Sequence, residues 1–136
     1  MSVQIKSLTS VAPVKDTSLA APNDPFNVIA TANEVYSLYT AANEEANKKS
    51  AIVKGIRLAN THATAAVKVT LYFDQPNAAG LNRRRLLSPP DVQLPAGFTY
   101  IDESEITLGP GDKIQAKADT ANVIQYVISG VERDVI

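Results

Sequence analysis

From Val28 onward, apolar and polar residues alternate along much of the chain. In residues 67–73, Val67, Val69, Leu71 and Phe73 are interleaved with Lys68, Thr70 and Tyr72, which predicts a strand with one face buried and one face wet. In residues 52–58, Ile52, Ile56 and Leu58 share one face of an extended chain, Lys54 is the exception on that face, and Arg57 points the other way. The polar run Asn60-Thr61-His62-Ala63-Thr64-Ala65 lies between these two segments, so they are expected to form a β-hairpin. The same design recurs downstream. Ile114, Ala116 and Ala118 alternate with Lys113, Gln115 and Lys117, and Asp119-Thr120-Ala121-Asn122 turns into residues 123–129. Two similar hairpins suggest an internal duplication.

Further strands are expected at residues 34–41, 85–87, 91–94, 98–102 and 105–108. Turn chemistry separates them: Asp74 to Gly80 is loop-like, Pro89-Pro90 interrupts a ladder, Pro95-Ala96-Gly97 turns, and Gly109-Pro110-Gly111-Asp112 is dense in turn formers. Asp112 is placed to cap the backbone donors of that last turn, which is expected to join a hairpin. Residues 39–50 have some helical character, with Glu44 and Lys48, and Glu45 and Lys49, at i,i+4 spacing. They lack an apolar stripe, so a solvated loop competes with one or two turns of helix. Before Val28 the texture differs. Pro13, Pro22 and Pro25 punctuate small and polar residues, and residues 1–27 are expected to be an extended N-terminal arm with a short strand at residues 3–8. Residues 28–136 then form one domain. Roughly seven or eight short strands with Gly and Pro turns predict an all-β fold, an antiparallel β-sandwich of jelly-roll-like character.

Composition narrows the function. The 136 residues carry 13 Lys and Arg against 14 Asp and Glu, a formal charge of -1, which lacks the basic footprint of most nucleic-acid-binding domains. Zero Cys excludes disulfides, Cys-ligated zinc and thiol catalysis. With no Trp, the core is expected to be filled by Ile, Leu, Val and the three Phe. Residues 1–8 are too interrupted by polar side chains for a secretory signal, and the apolar stretches at 51–59 and 65–73 are far shorter than a membrane span. A protein retained in a cytoplasm, or assembled there into something larger, is expected.

Candidate chemistry is sparse. The one histidine, His62, falls in a predicted turn, and no Ser sits in a nucleophile context such as G-x-S-x-G. Asp102, Glu103 and Glu105 form an acidic cluster without the EF-hand pattern, better read as a solvated turn than as a calcium site. Gly109-Pro110-Gly111-Asp112 has no following Lys-Ser or Lys-Thr and is not a phosphate cradle. No catalytic residue, metal ligand or cofactor site emerges. Arg83-Arg84-Arg85 is the one conspicuous charge run. It offers bidentate partners for carboxylates; surface solubility, an acidic protein or a neighbouring subunit each suit it better than nucleic acid. Tyr36 and Tyr39 join these arginines as candidates to flank a contact surface, although core packing is the commoner fate of tyrosine.

The run Ile52-Val53-Lys54-Gly55-Ile56-Arg57-Leu58-Ala59-Asn60-Thr61, followed by Val67-Lys68-Val69-Thr70-Leu71-Tyr72, resembles the opening hairpin of small β-sandwich virion proteins of tailed bacteriophages. Their Leu-Pro-x-Gly turn is matched by Leu94-Pro95-Ala96-Gly97, and their Leu-x-x-Gly-Asp-x-Ile element by Leu108-Gly109-Pro110-Gly111-Asp112-Lys113-Ile114. A strand ending Ser-Gly-x-Glu is matched by Ser129-Gly130-Val131-Glu132. The resemblance spans residues 50–132 and rests on turns and strands, which specify architecture better than task. It implies a non-enzymatic structural protein, assembled in the host cytoplasm and resident in the virion, as a capsid decoration or cement protein or a neck, head-tail or tail accessory. The implied partners are copies of itself and other virion proteins, namely major capsid, neck or tail proteins. A carbohydrate-binding sandwich for host attachment is the alternative, disfavoured by the lack of Trp, the usual sugar platform.

Overall fold

The computed structural model describes residues 3–7, 14–15, 28–76 and 84–135. Alternation of the predicted kind requires two layers, because each half-wet strand must hide one apolar face against something. Two antiparallel sheets meet that requirement. Sheet I contains β1 (Val3–Ser7), β4 (Asn43–Glu44), β5 (Asn47–Asn60), β9 (Thr99–Asp102), β10 (Ile106–Leu108) and β12 (Ile124–Val135). Sheet II contains β2 (Val14–Lys15), β3 (Tyr36–Thr40), β6 (Val67–Asp74), β7 (Arg84–Leu86), β8 (Val92–Leu94) and β11 (Lys113–Ala118). The protein is an all-β antiparallel sandwich. All five further strands read from the sequence are present. Within the region read as an arm, β1 pairs with β12 and β2 with β3.

Neither predicted hairpin forms. β5 and β6 lie in different sheets, as do β11 and β12. The central pairs are β5 with β12 and β6 with β11, so each supposed hairpin turn is an arch between layers. The physical reason is burial. A hairpin would set the apolar faces of β5 and β6 side by side, with nothing to cover them, whereas an arch turns the two faces toward each other. Val53, Ile56, Leu58, Ile124, Tyr126 and Ile128 from sheet I therefore meet Tyr36, Val69, Leu71 and Ile114 from sheet II in one core. Fully burying each such side chain is worth roughly 1.5–3 kcal/mol before entropy is counted.

The two arches lie together at one end of the sandwich. The Thr61 backbone N–H and Oγ1 each donate to the Val123 carbonyl at 2.8 Å, and the Asp119 N–H donates to the Lys68 carbonyl at 3.0 Å. Gly109-Pro110-Gly111-Asp112 crosses between layers at the other end, from β10 to β11, and so is not a hairpin turn either. Its capping chemistry is as read from the sequence: the Gly109 N–H donates to Asp112 Oδ2 at 2.9 Å, and Gly111 takes the positive φ of 89° that the bend requires.

Two more expectations are corrected. Residues 39–50 contain no helix. They complete β3, form the short β4 and turn back into β5, with Glu44 opposite Asn47. A helix there would bury nothing, whereas the extended chain lengthens the ladder of sheet I. The fully buried aromatic part of the core is tyrosine, with Phe73 packed against its edge. Tyr36, Tyr39 and Tyr126 are buried, Phe73 is half-buried and Phe98 is 61% exposed; Phe26 lies outside the described residues. Phenol groups succeed there where polar partners are available, as with Tyr36, whose hydroxyl donates to Thr31 Oγ1 at 2.7 Å.

Candidate functional site

The feature that creates a candidate site is an irregularity in β5. The pairing of β5 with β12 shifts between Ser129 and Gly130: Ser129 lies opposite Gly55 and Gly130 opposite Val53, leaving Lys54 as an extra residue. Such a bulge resets the alternation. Downstream of it Ile56 and Leu58 face the core, but upstream it is Val53 and Ala51 that do so, and Ile52 is turned outward at 39% exposure. The sequence signal was Lys54, read as an exception on an apolar face. It marks the point at which the face changes over.

Gly130 is what the bulge demands. A Cβ built on it would lie 2.2 Å from the Ile52 carbonyl oxygen and 3.0 Å from the Val53 Cα. Both are backbone atoms that cannot swing aside, so only glycine allows β12 to approach β5 this closely. The edge strand adapts on the opposite side. β9 and β10 both pair with β5, and residues 103–105 interrupt them alongside Lys54 and Gly55. Asp102 Oδ1 accepts from the Ser104 N–H at 2.9 Å, while Glu105 pairs with Lys54 at 3.1 Å. The acidic cluster is therefore a solvated, ion-paired turn. Among the described residues no group of three or more His, Cys, Asp or Glu side chains is placed to hold a metal ion.

As a result the outer face of sheet I carries two rows that each bear exposed aliphatic residues. One runs across the strands through Val127 (50% exposed), Arg57 and Ile101 (48% exposed). The other runs through Val131, Ile52 and Thr107. Between them lies a small-residue row, Ser129 opposite Gly55. The second row borders an apolar recess of about 390 Å³, lined by Ser50, Ile52, Thr107, Gly109, Val131 and Arg133. Scattered exposed aliphatic residues are ordinary; the apolar recess beside Ile52 and Val131 is the part of this face that suits a contact.

The residues singled out from the sequence lie elsewhere. Tyr36 and Tyr39 flank no surface: both are buried in the core. Tyr39 reaches across the layers, its hydroxyl donating to Glu132 of β12. Burial, and then the hydrogen bond and charge of Glu132, push its phenol above the ordinary tyrosine value of 10.0. Arg84 and Arg85 lie in β7 at the edge of sheet II, opposite Asp74 and Phe73. The Arg84 guanidinium sits 5.4 Å from the Tyr72 ring centroid, in cation–π range. Arg83 lies outside the described residues. His62 organises the first arch, its Nδ1 accepting from the N–H groups of Thr64 and Ala65 at 3.1 and 3.0 Å.

No family model matches the chain, and no curated protein matches it. Among solved structures it is similar to a family 35 carbohydrate-binding module from Clostridium thermocellum, at 12% identity over 97% of each chain with a TM-score of 0.30.

Proposed function

We propose that the chain is a non-enzymatic structural subunit of a tailed-bacteriophage virion, a decoration, cement, head-tail or tail accessory protein that assembles with copies of itself and with other virion proteins. The observation that carries this reading is the outer face of sheet I, where Ile52, Ile101 and Val127 are exposed and Ile52 borders an apolar recess. A surface of this kind is stable in water when it is covered by protein. The turn and strand motifs across residues 50–132 support the virion context. Many modest contacts repeated over a symmetric particle add up to firm attachment.

Mass spectrometry of purified particles is the test. This chain should be present at high, fixed stoichiometry relative to the major capsid or tail proteins. Its absence from washed particles would remove the reading.

A further inference from the structure

We infer that the apolar recess on the outer face of sheet I seats an extended, acidic segment of a protein partner. An aliphatic side chain of that segment enters the recess, and a carboxylate two residues along meets Arg133. The inference rests on the reading of the chain as an assembling subunit and names the chemistry of what it assembles with.

The register of the strands shows how the recess is made. Val131, Ile52 and Thr107 form one row across β12, β5 and β10, and Arg133 opposite Ser50 begins the next. Ser50 and Gly109 add little side-chain bulk to that second row. A hollow of about 390 Å³ remains, lined by the aliphatic pair Ile52 and Val131 and by Arg133. The two rows are two residues apart on each strand, about 6.8 Å. An extended partner segment has the same spacing between side chains i and i+2, which point the same way. An aliphatic residue seated over Ile52 and Val131 therefore sets an Asp or Glu two positions on over Arg133, and a further one over Lys48, which lies opposite Val135 in the row beyond.

Charge identifies the occupant. The whole chain has a formal charge of -1, yet among the described residues the outer face of sheet I presents Lys48, Lys54, Arg57 and Arg133 against only Glu103 and Glu105. Lys54 and Glu105 pair with each other, and Lys48 and Arg133 make no ion pair among the described residues. The acids next to Arg133 in sequence are turned to the inner side, where Glu132 meets Tyr39 and Asp134 meets Lys49. A guanidinium left unpaired beside an apolar hollow suits a ligand that carries an aliphatic group and a carboxylate together, the carboxylate being held by two parallel hydrogen bonds. A phosphate backbone would satisfy Arg133 and leave the hollow unfilled. One anchor with one or two ion pairs is a modest contact, and repetition over a particle makes it firm.

Two measurements on the purified full-length chain test this. Selection from a random dodecapeptide library should enrich sequences in which Leu, Ile or Val is followed two positions later by Asp or Glu. The dissociation constant of the most enriched peptide, read by fluorescence anisotropy in low salt, should then rise about tenfold or more in Arg133→Gln and in Ile52→Ser. Both positions are exposed, so circular dichroism should be unchanged. Arg133→Lys should restore only part of the loss, because an ammonium cannot bind a carboxylate bidentately. Added salt should weaken the wild type more than Arg133→Gln. Lys68→Gln removes an exposed positive charge from β6 of sheet II and should change the constant less than about twofold. No consensus, a consensus without the carboxylate, or an equal loss in Lys68→Gln would overturn the inference. So would a wild type that sediments as a dimer and becomes monomeric in Ile52→Ser, which gives the recess to a second copy. Particle mass spectrometry reads the other question: a chain present on virions that selects no acidic peptide keeps the virion reading and loses this one, and a chain absent from virions that selects it does the reverse.

Discussion

The same two arches feed two central strand pairs that differ in character. In sheet II, β6 and β11 run in unbroken register from Lys113 opposite Asp74 to Ala118 opposite Val69. In sheet I, β5 and β12 pair over a longer distance, from Ile124 opposite Asn60 to Val135 opposite Lys48, with a shift at Ser129 and Gly130. The regular pair keeps its apolar side chains on one face throughout. The irregular pair changes over halfway and sends Ile52 outside. A single inserted residue has thus moved Ile52 from the core face to the exterior of sheet I, at the cost of a backbone approach that only glycine tolerates.

The sharpest way to break this contrast is Gly130→Ala. With its methyl group 2.2 Å from the Ile52 carbonyl oxygen, the substitution should lower unfolding free energy by more than about 3 kcal/mol, beyond the usual overpacking range. The urea midpoint should fall accordingly. Hydrogen exchange should show the β5 and β12 amides losing protection before those of β6 and β11. Wild-type stability would mean that the strands are not so close. Asn60→Ala comes next. Its buried side chain donates to the Ala65 and Leu94 carbonyls at 2.9 Å each and accepts from the His62 N–H at 2.9 Å, so it ties the first arch to the crossing from β8 to β9. Removing it strands three backbone groups and should cost about 2–3 kcal/mol by the same urea measurement.

Strand positions were legible in the sequence because alternation depends only on which faces are wet. Residues 67–73 and 113–118 show this directly. The partner of each strand was not legible, because residues 61–66 and 119–123 are polar and short whether the chain turns within a sheet or crosses to the other layer. Tyr36 and Tyr39 were misplaced for a related reason: a phenol suits a wet rim or a core with a polar partner, and Thr31 and Glu132, which supply those partners, come from other elements. The candidate face was hidden more deeply. Ile52 looked inward on strict alternation, and only Lys54, out of place on an apolar face, indicated that the alternation breaks. Ile101 and Val127 are unremarkable strand residues until β5 aligns them.

The link between the layers offers a smaller and pH-dependent effect. Tyr39→Phe keeps the ring and loses the hydroxyl bond to Glu132, which should cost about 1–2 kcal/mol at neutral pH because the acceptor is a carboxylate. The phenol is held above its ordinary value of 10.0 in the folded chain, so it stays protonated when the unfolded chain ionises. Above about pH 10 the folded state binds more protons than the unfolded one, and stability must fall as pH rises. The wild type should therefore lose up to about 1.4 kcal/mol per pH unit from this group alone, and Tyr39→Phe should flatten that alkaline limb. Parallel limbs for the two proteins would show that Tyr39 is not protected.

Asp119→Ala probes the second arch and should be the mildest of these changes. Asp119 does for that arch what Asn60 does for the first, accepting from the Lys68 N–H at 3.0 Å and from Thr120 Oγ1 at 3.1 Å, but it is exposed where Asn60 is buried. Water can replace an exposed acceptor, so the substitution should lower stability by only about 0.5–1 kcal/mol. The backbone bond from the Asp119 N–H to the Lys68 carbonyl survives the change and should keep β6 and β11 in register. A loss as large as that of Asn60→Ala would mean that the arches are equivalent supports of the sandwich end. A small loss would assign that role to the first arch, where a buried side chain joins two crossings at once.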